Sequence, residues 1–206
     1  MEQNDFYFDN QTTGKQEQDI ERRKENLSFI RETVIGIIGI ILVFVFVIRI
    51  VIVSGPSMKQ TLINGDVLLL LSSAIYTEPK YGDIVVISKE NFKNGDPFIK
   101  RVIATEGQEV DINFETGVVY VDGSPLEESY TNTPTNLYEG VSFPLVVKEG
   151  CVFVMGDNRN DSMDSRSTQI GLIDCREILG RAIFILLPAK NEESGKMEFD
   201  RIGGLW

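Results

Sequence analysis

Histidine is absent from all 206 residues, and that gap removes whole classes of chemistry. Ser-His-Asp and Cys-His catalysis, histidine-ligated zinc and an imidazole base are all ruled out. Any proton transfer falls to Asp, Glu, Lys, Tyr or Cys. Cysteine is scarce as well. Cys151 and Cys175 form no Cys-x-x-Cys pair, which speaks against a redox motif or a cysteine-rich zinc site. We read them as two unpaired, half-buried thiols; one disulfide in an exported domain stays open, because spacing alone does not show whether their Cβ atoms meet. Positive charge is in deficit: 20 Lys and Arg against 31 Asp and Glu leave a net charge of −11. That sign is wrong for displacing counterions from phosphates, so no nucleic-acid partner is expected. No metal site and no cofactor is expected either.

What the chain does have is unevenly distributed apolarity. From Thr33 to Ile48 no residue is charged, and after Arg49 the run resumes as Ile50-Val51-Ile52-Val53. We read 33–53 as a transmembrane helix, since about 20 residues at ~1.5 Å rise cross a hydrocarbon core of ~30 Å. Arg49 lies near the far end, where its stem can reach the interface. A cleaved leader would have a shorter apolar region and a small-x-small site, whereas Ser54-Gly55-Pro56 follows here. A core helix or strand seldom stays uncharged for so long. Arg22, Arg23, Lys24 and Arg31 precede the span, so the N-terminus is expected in the cytoplasm and residues 54–206 outside the cell. Residues 1–32 are polar, without a sustained apolar period, and read as a mostly disordered leader.

Residues 54–206 are long enough for a real core, and their pattern is mainly β. Asp66–Leu71 and Asp83–Ile87 are short apolar runs opened by Gly-Asp. Val110–Phe114 alternates, turns at Glu115-Thr116-Gly117 and resumes as Val118–Val121, a hairpin closed by Asp122-Gly123. Cys151–Met155 and Ala182–Leu187 complete at least six strands. The stretch 124–150, rich in Pro, Thr, Asn and Glu, reads as an excursion between strands. No repeat or low-complexity segment is present.

Three segments are polar beyond what packing needs. Ser54-Gly55-Pro56-Ser57-Met58-Lys59-Gln60-Thr61-Leu62 presents Ser57 on a Gly/Pro turn; alone, it is equally an ordinary linker. In Phe98-Ile99-Lys100-Arg101-Val102 the strand period places Lys100 between Phe98 and Val102. Such a lysine either snorkels to solvent or is desolvated, which favours the neutral amine. With histidine missing, Lys100 is the most plausible general base; Arg101, always cationic, cannot replace it. The third segment, Gly156 to Arg166, is dense in Asp and Asn. A calcium loop begun at Asp157 fails, because Arg159, Ser162 and Thr168 fall where ligands and a glycine are required. What remains is a turn-rich corner with Asp164 and Arg166 spaced for an ion pair.

Together these segments resemble the type I signal peptidases, membrane-anchored Ser/Lys endopeptidases. The family's Ser-Gly-x-Ser-Met-x-Pro-Thr-Leu is matched from Ser54 to Leu62 with Gln60 in place of proline. Its Lys-Arg-Val-Ile-Gly-Leu-Pro-Gly-Asp is matched by Lys100-Arg101-Val102-Ile103 and Gly107. Its Gly-Asp-Asn-Arg-x-x-Ser-x-Asp-Ser-Arg is matched in full from Gly156 to Arg166, and Gly82-Asp83-Ile84-Val85 fits a further element. The resemblance implies an N-terminal single transmembrane helix and an exported antiparallel β-sheet catalytic domain. It implies Ser57 as nucleophile, Lys100 as general base, Ser162 orienting Lys100, and Asp164 and Arg166 supporting that corner. The Ser57 backbone N–H would be one oxyanion donor; Gly55 stands where some members carry a second, serine donor, and Met58 would form a substrate wall. Ala104, Thr105, Glu106 and Gln108 depart from the lysine motif, and Glu106 would bring a carboxylate near the base.

The implied reaction is removal of N-terminal signal peptides from exported preproteins after a small-x-small site, at the outer face of the cell membrane. Its partners would be those signal peptides and the lipid bilayer. Two other readings are weighed. A non-catalytic membrane assembly factor on the same fold would have lost the serine or the lysine, and both are present. A Ser/Lys self-cleaving regulator would need a DNA-binding domain, against which the anchor and the acidity argue.

Overall fold

The computed structural model describes residues 3–191 and 195–205, in two units, Met1–Val45 and Phe46–Trp206. The first is one helix, α1 (Gln3–Phe46). Over its described residues, from Gln3 on, the leader expected to be disordered is thus helical. It contains no proline, and its Gln, Glu, Lys and Arg are good helix formers that extend a helix already nucleated by the apolar run. The helix is long and apolar enough over Ile20–Phe46 to cross a membrane.

The far end of the expected span is different. Ile48–Ile52 is a strand, β1. It is mostly β-branched, suits a pleated surface as well as a helix, and finds an antiparallel partner in Val67–Ser72, β2, with Ile48 opposite Leu71 and Ile52 opposite Val67. The uncharged part of the helix, Thr33 to Phe46, therefore rises only about 21 Å. Extended back to Leu27 it reaches the ~30 Å of a hydrocarbon core, and Arg31 and Glu32 within that stretch pair with each other at 2.9 Å.

The remaining strands are β3 (Ile84–Ile87), β4 (Phe98–Thr105), β5 (Glu109–Asn113), β6 (Val118–Val121), β7 (Ser124–Pro125), β8 (Leu145–Val146), β9 (Cys151–Met155), β10 (Ile173–Asp174), β11 (Ile178–Leu187) and β12 (Gly203–Gly204). Among the described residues one sheet runs β1-β2-β11-β3-β4-β9-β10, with β12 on β11, and a second runs β7-β6-β5-β8. The pairings are antiparallel, as expected of a mainly β chain. The β6–β7 turn has Asp122 and Gly123 both at positive φ (51° and 73°), which a two-residue hairpin turn of this hand requires.

Alternation explains where the core lies. On the central strand β3 every residue is buried. Val85 and Ile87 join a cluster with Phe98, Val102, Val152 and Ile178, while Ile84 and Val86 join another with Met58, Leu62, Leu68 and Ala182. A third cluster ties the second sheet to β4 and β9 through Val110, Ile112, Val119, Ile103 and Phe153. The stretch 124–150 is more than an excursion, for it supplies β7 and β8, the two edges of the second sheet. Cys151 and Cys175 are free thiols, packed against separate clusters.

Candidate active site

The turn between β1 and β2 carries the serine. Lys59 N–H donates to the Pro56 carbonyl at 2.8 Å and Leu62 N–H to the Met58 carbonyl at 2.8 Å, a tight helical turn. Met58 and Leu62 anchor it from below. Met58, expected as a substrate wall, is only 1% exposed and belongs to the core cluster beneath the turn, because the side chain after Ser57 points inward. Ser57 is half-buried. Gln60, where the family has proline, adopts φ 98°, a conformation closed to proline.

Lys100 reaches this turn from β4. The lysine is 3% exposed, with its Nζ 2.8 Å from Ser57 Oγ, 3.0 Å from the Ile99 carbonyl and 5.6 Å from the centre of the Phe98 ring. It is the buried one of the two fates open to it, beside Phe98 as the strand period predicts.

The loop after β9 folds back on its own strand: Val154 N–H donates to Ser165 Oγ at 3.0 Å, and Ser165 N–H to the Val154 carbonyl at 3.1 Å. Asp164 and Arg166, both fully buried, form the expected pair, bidentate at 2.8 Å and 2.8 Å. Asp164 Oδ2 also accepts from Gly156 N–H at 2.9 Å and from Ser162 Oγ at 3.0 Å. Gly156 has to be glycine, since a Cβ there would lie 2.1 Å from Ser162 Oγ and 2.5 Å from the Ser57 carbonyl oxygen. The backbone at Gly156 is what brings the first and third segments into contact, reinforced by Asn158 N–H donating to the Ser57 carbonyl at 3.0 Å.

The description of the family model that matches residues 26–187 is signal peptidase, peptidase S26. The chain is 40% identical over 145 residues to the "Probable signal peptidase I-1" of Synechocystis sp., covering 66% of this chain and 70% of that one. It is 32% identical over 181 residues to the signal peptidase I of Bacillus licheniformis, covering 84% and 95%. A crystal structure of a signal peptidase I from Enterococcus faecalis V583 is similar at 27% identity, with 51% of this chain and 97% of that chain covered and a TM-score of 0.42.

The chain belongs to the signal peptidase family. It is accordingly a serine peptidase of the signal peptidase I type, and the match takes in all three polar segments.

Several residues of this signal peptidase site were not anticipated from sequence. Arg101, set aside as unable to act as a base, donates to both oxygens of buried Asp157 at 2.8 Å and 2.7 Å and to the Gly82 carbonyl at 2.8 Å. Thr61 Oγ1 donates to Asp157 Oδ2 at 2.5 Å. One buried ion pair thus joins the serine turn, the lysine strand, the Gly82-Asp83 element and the final loop. The signal was adjacency: each partner stands beside a residue already singled out. Arg159, 1% exposed, pairs with Glu128 and donates to Thr135 at 2.9 Å, tying the stretch 124–150 to the same loop. Gly55 N–H donates to Asn64 Oδ1 at 3.1 Å, so Gly55 offers an oxyanion neither a hydroxyl nor an uncommitted N–H.

Glu106 is not the carboxylate near the base. It is exposed and accepts from Gly150 N–H at 2.8 Å, six extended residues and roughly 20 Å along the chain from Lys100. Glu139, far away in sequence, is returned to the Asp164–Arg166 corner, where Gly140 bridges Ser167 and Val141 N–H donates to the Arg166 carbonyl at 3.1 Å. Burial pushes its carboxyl above the usual carboxylate range, and Asp164 pushes the same way. Arg166, a hydrogen bond from the Asp164 backbone N–H and Lys100 oppose them. Among the described residues no group of three or more His, Cys, Asp or Glu is placed to hold a metal ion.

Proposed function

We propose that this signal peptidase removes N-terminal signal peptides from exported preproteins after a small-x-small site, with Ser57 as nucleophile and Lys100 as general base. The observation that carries the reading is the 2.8 Å contact of Ser57 Oγ with the Nζ of a lysine only 3% exposed. In that setting the neutral amine takes the Ser57 proton and the alkoxide attacks the scissile carbonyl. The acyl-enzyme that forms is released by a water activated by the same lysine. The Ser57 backbone N–H serves as one oxyanion donor. Ser162 Oγ, having given its hydrogen to Asp164, presents lone pairs that hold Lys100 in line, and Arg166 fixes Asp164 in turn.

In this reading α1 is a single-pass anchor in the cell membrane with its N-terminus in the cytoplasm, and the catalytic unit acts outside. The basic residues Arg22, Arg23, Lys24 and Arg31 support that orientation. Lipid is the second partner. Ile50 and Ile52 on β1 and Leu187 on β11 are exposed apolar side chains close in the sheet, since Ile52 and Leu187 both stand opposite Val67. A patch of that kind marks an apolar partner. The peptide would lie extended, so that alternate residues meet one wall, which accounts for selection at −1 and −3. The test is to incubate the purified full chain with a preprotein bearing an Ala-x-Ala site and map the product by mass spectrometry. One cut after the second Ala, absent with Ser57→Ala, is expected; no cut, or a cut elsewhere, removes the reading.

A further inference from the structure

Each nitrogen of the Arg101 guanidinium has a partner in its own plane. Nε and Nη2 donate to the two oxygens of Asp157 at 2.8 Å and 2.7 Å, and Nη1 donates to the Gly82 carbonyl at 2.8 Å. The flat face is taken as well. The ring of Tyr130 covers it, with Arg101 Cζ 4.0 Å from the ring centre. A planar cation on an aromatic face is attracted by the ring's quadrupole, most strongly where water is kept away, and here both Arg101 and Asp157 are buried. Tyr130 belongs to the stretch 124–150, between β7 and β8, and its own contacts hold it in place over Arg101. Its hydroxyl donates to Glu128 Oε1 at 3.0 Å and lies 3.3 Å from the Tyr81 hydroxyl. The guanidinium of Arg159, itself paired with Glu128, stands 5.8 Å from the centre of the same ring.

We infer that Tyr130 is a positioning residue for Ser57 and Lys100, acting through Arg101 by shielding its ion pair with Asp157 from water and salt. The inference rests on the Ser/Lys reading. Arg101 follows Lys100 on β4, and Asp157 accepts from Thr61 Oγ1 on the serine turn. This one pair therefore ties together the two elements that hold Ser57 Oγ 2.8 Å from Lys100 Nζ. Successive strand residues face opposite ways, so the ring covers β4 on the side away from Lys100 and acts on position. Water admitted to the guanidinium would raise the local dielectric, weaken the attraction in proportion and let salt screen it. Turn and strand would then drift apart, and a misplacement of ~1 Å at reacting groups costs on the order of 10²-fold in rate.

The experiment measures kcat and KM on the full-length chain in proteoliposomes, with a preprotein bearing Ala-x-Ala, from about 0.05 to about 1 M NaCl. Tyr130→Leu keeps apolar bulk and removes the aromatic face, whereas Tyr130→Phe keeps the face and removes the hydroxyl. At low salt the leucine variant should lose kcat several-fold, with KM within about two-fold of the unaltered protein. Against the unaltered protein at the same salt, its kcat should fall by about a further three-fold or more at the highest salt. Tyr130→Phe should retain most of kcat and show no such salt dependence. Unaltered kcat in Tyr130→Leu overturns the inference, and so does a loss that salt does not deepen. An equal loss in Tyr130→Phe overturns it too, since the hydroxyl contacts and not the covered cation would then matter. A rise in KM alone would place Tyr130 on the substrate instead. Tyr130→Met covers the case in which the leucine variant does not fold; if neither folds while Tyr130→Phe does, the ring only braces its stretch and the inference falls. Ser57→Ala and Lys100→Arg run alongside. If they still cleave, the Ser/Lys reading itself has failed; if they are inactive and Tyr130→Leu follows the unaltered protein, only the role of Tyr130 has.

Discussion

Gly156→Ala adds one methyl group at the point where the serine turn and the final loop touch. The new Cβ would stand 2.1 Å from Ser162 Oγ, 2.5 Å from Ser162 Cβ and 2.5 Å from the Ser57 carbonyl oxygen. Bringing the first contact to even 3.0 Å requires a displacement of nearly 1 Å. None of the three atoms is the free end of a flexible side chain. Ser162 is held by Asp164, and the Ser57 carbonyl is fixed by Asn158. Overpacking of this kind costs about 1–3 kcal/mol, and a misplacement of ~1 Å at the reacting group costs on the order of 10²-fold in rate. The variant should therefore stay folded with a lowered Tm, while kcat on a preprotein falls by about 10²-fold or more. Gly150→Ala is the matched control, because its φ of 68° is strained for alanine but its Cβ direction is open. It should lose about 1 kcal/mol and keep its activity. Wild-type turnover in Gly156→Ala, with Tm unchanged, would refute the idea that this contact sets the position of Ser57.

Three further outcomes are expected. Arg101→Ala leaves Asp157 buried without its cation and should cost about 3–5 kcal/mol in thermal or denaturant melting; a loss below about 0.5 kcal/mol would mean the knot of Asp157, Thr61 and Gly82 is not structural. Ser162→Ala removes one hydrogen bond to a carboxylate, about 1–2 kcal/mol, but should lower turnover by roughly 10²-fold; an unaltered rate in a folded variant would make the loop a structural corner only. Protease added outside intact cells should digest residues 54–206 and spare the leader, and protection of the catalytic unit would reverse the orientation.

The apolar run and the strands were legible because each depends on local pattern. The end of the helix was not. Ile48–Ile52 continues the same apolarity, and only pairing with β2, a contact across sequence, makes it a strand. Lys100 stood out as a candidate base in a chain without histidine, and the Asp164–Arg166 pair stood out from its spacing, whereas Ser57 was singled out only by the resemblance of its segment to the family motif. Asp157, Arg101 and Thr61 read as ordinary polar residues until the fold buries them against one another. The carboxylates around the final loop show the same limit. Glu106 is a near neighbour in sequence, yet a strand carries it away, whereas Glu139 arrives by the return of 124–150 onto the final loop.

The central claim is that Ser57 and Lys100 act as one unit, with the neutral amine as the active form. The most direct measurement is preprotein cleavage by the full-length chain as a function of pH, in the unaltered protein, Ser57→Ala and Lys100→Arg. The unaltered protein should gain activity as pH rises and the amine loses its proton. Lys100→Arg keeps the charge and cannot deprotonate, so it should be inactive throughout, as should Ser57→Ala, and the double variant should be scarcely worse than either. Cleavage persisting in both single variants, with a flat profile between about pH 6 and 9, would contradict the account.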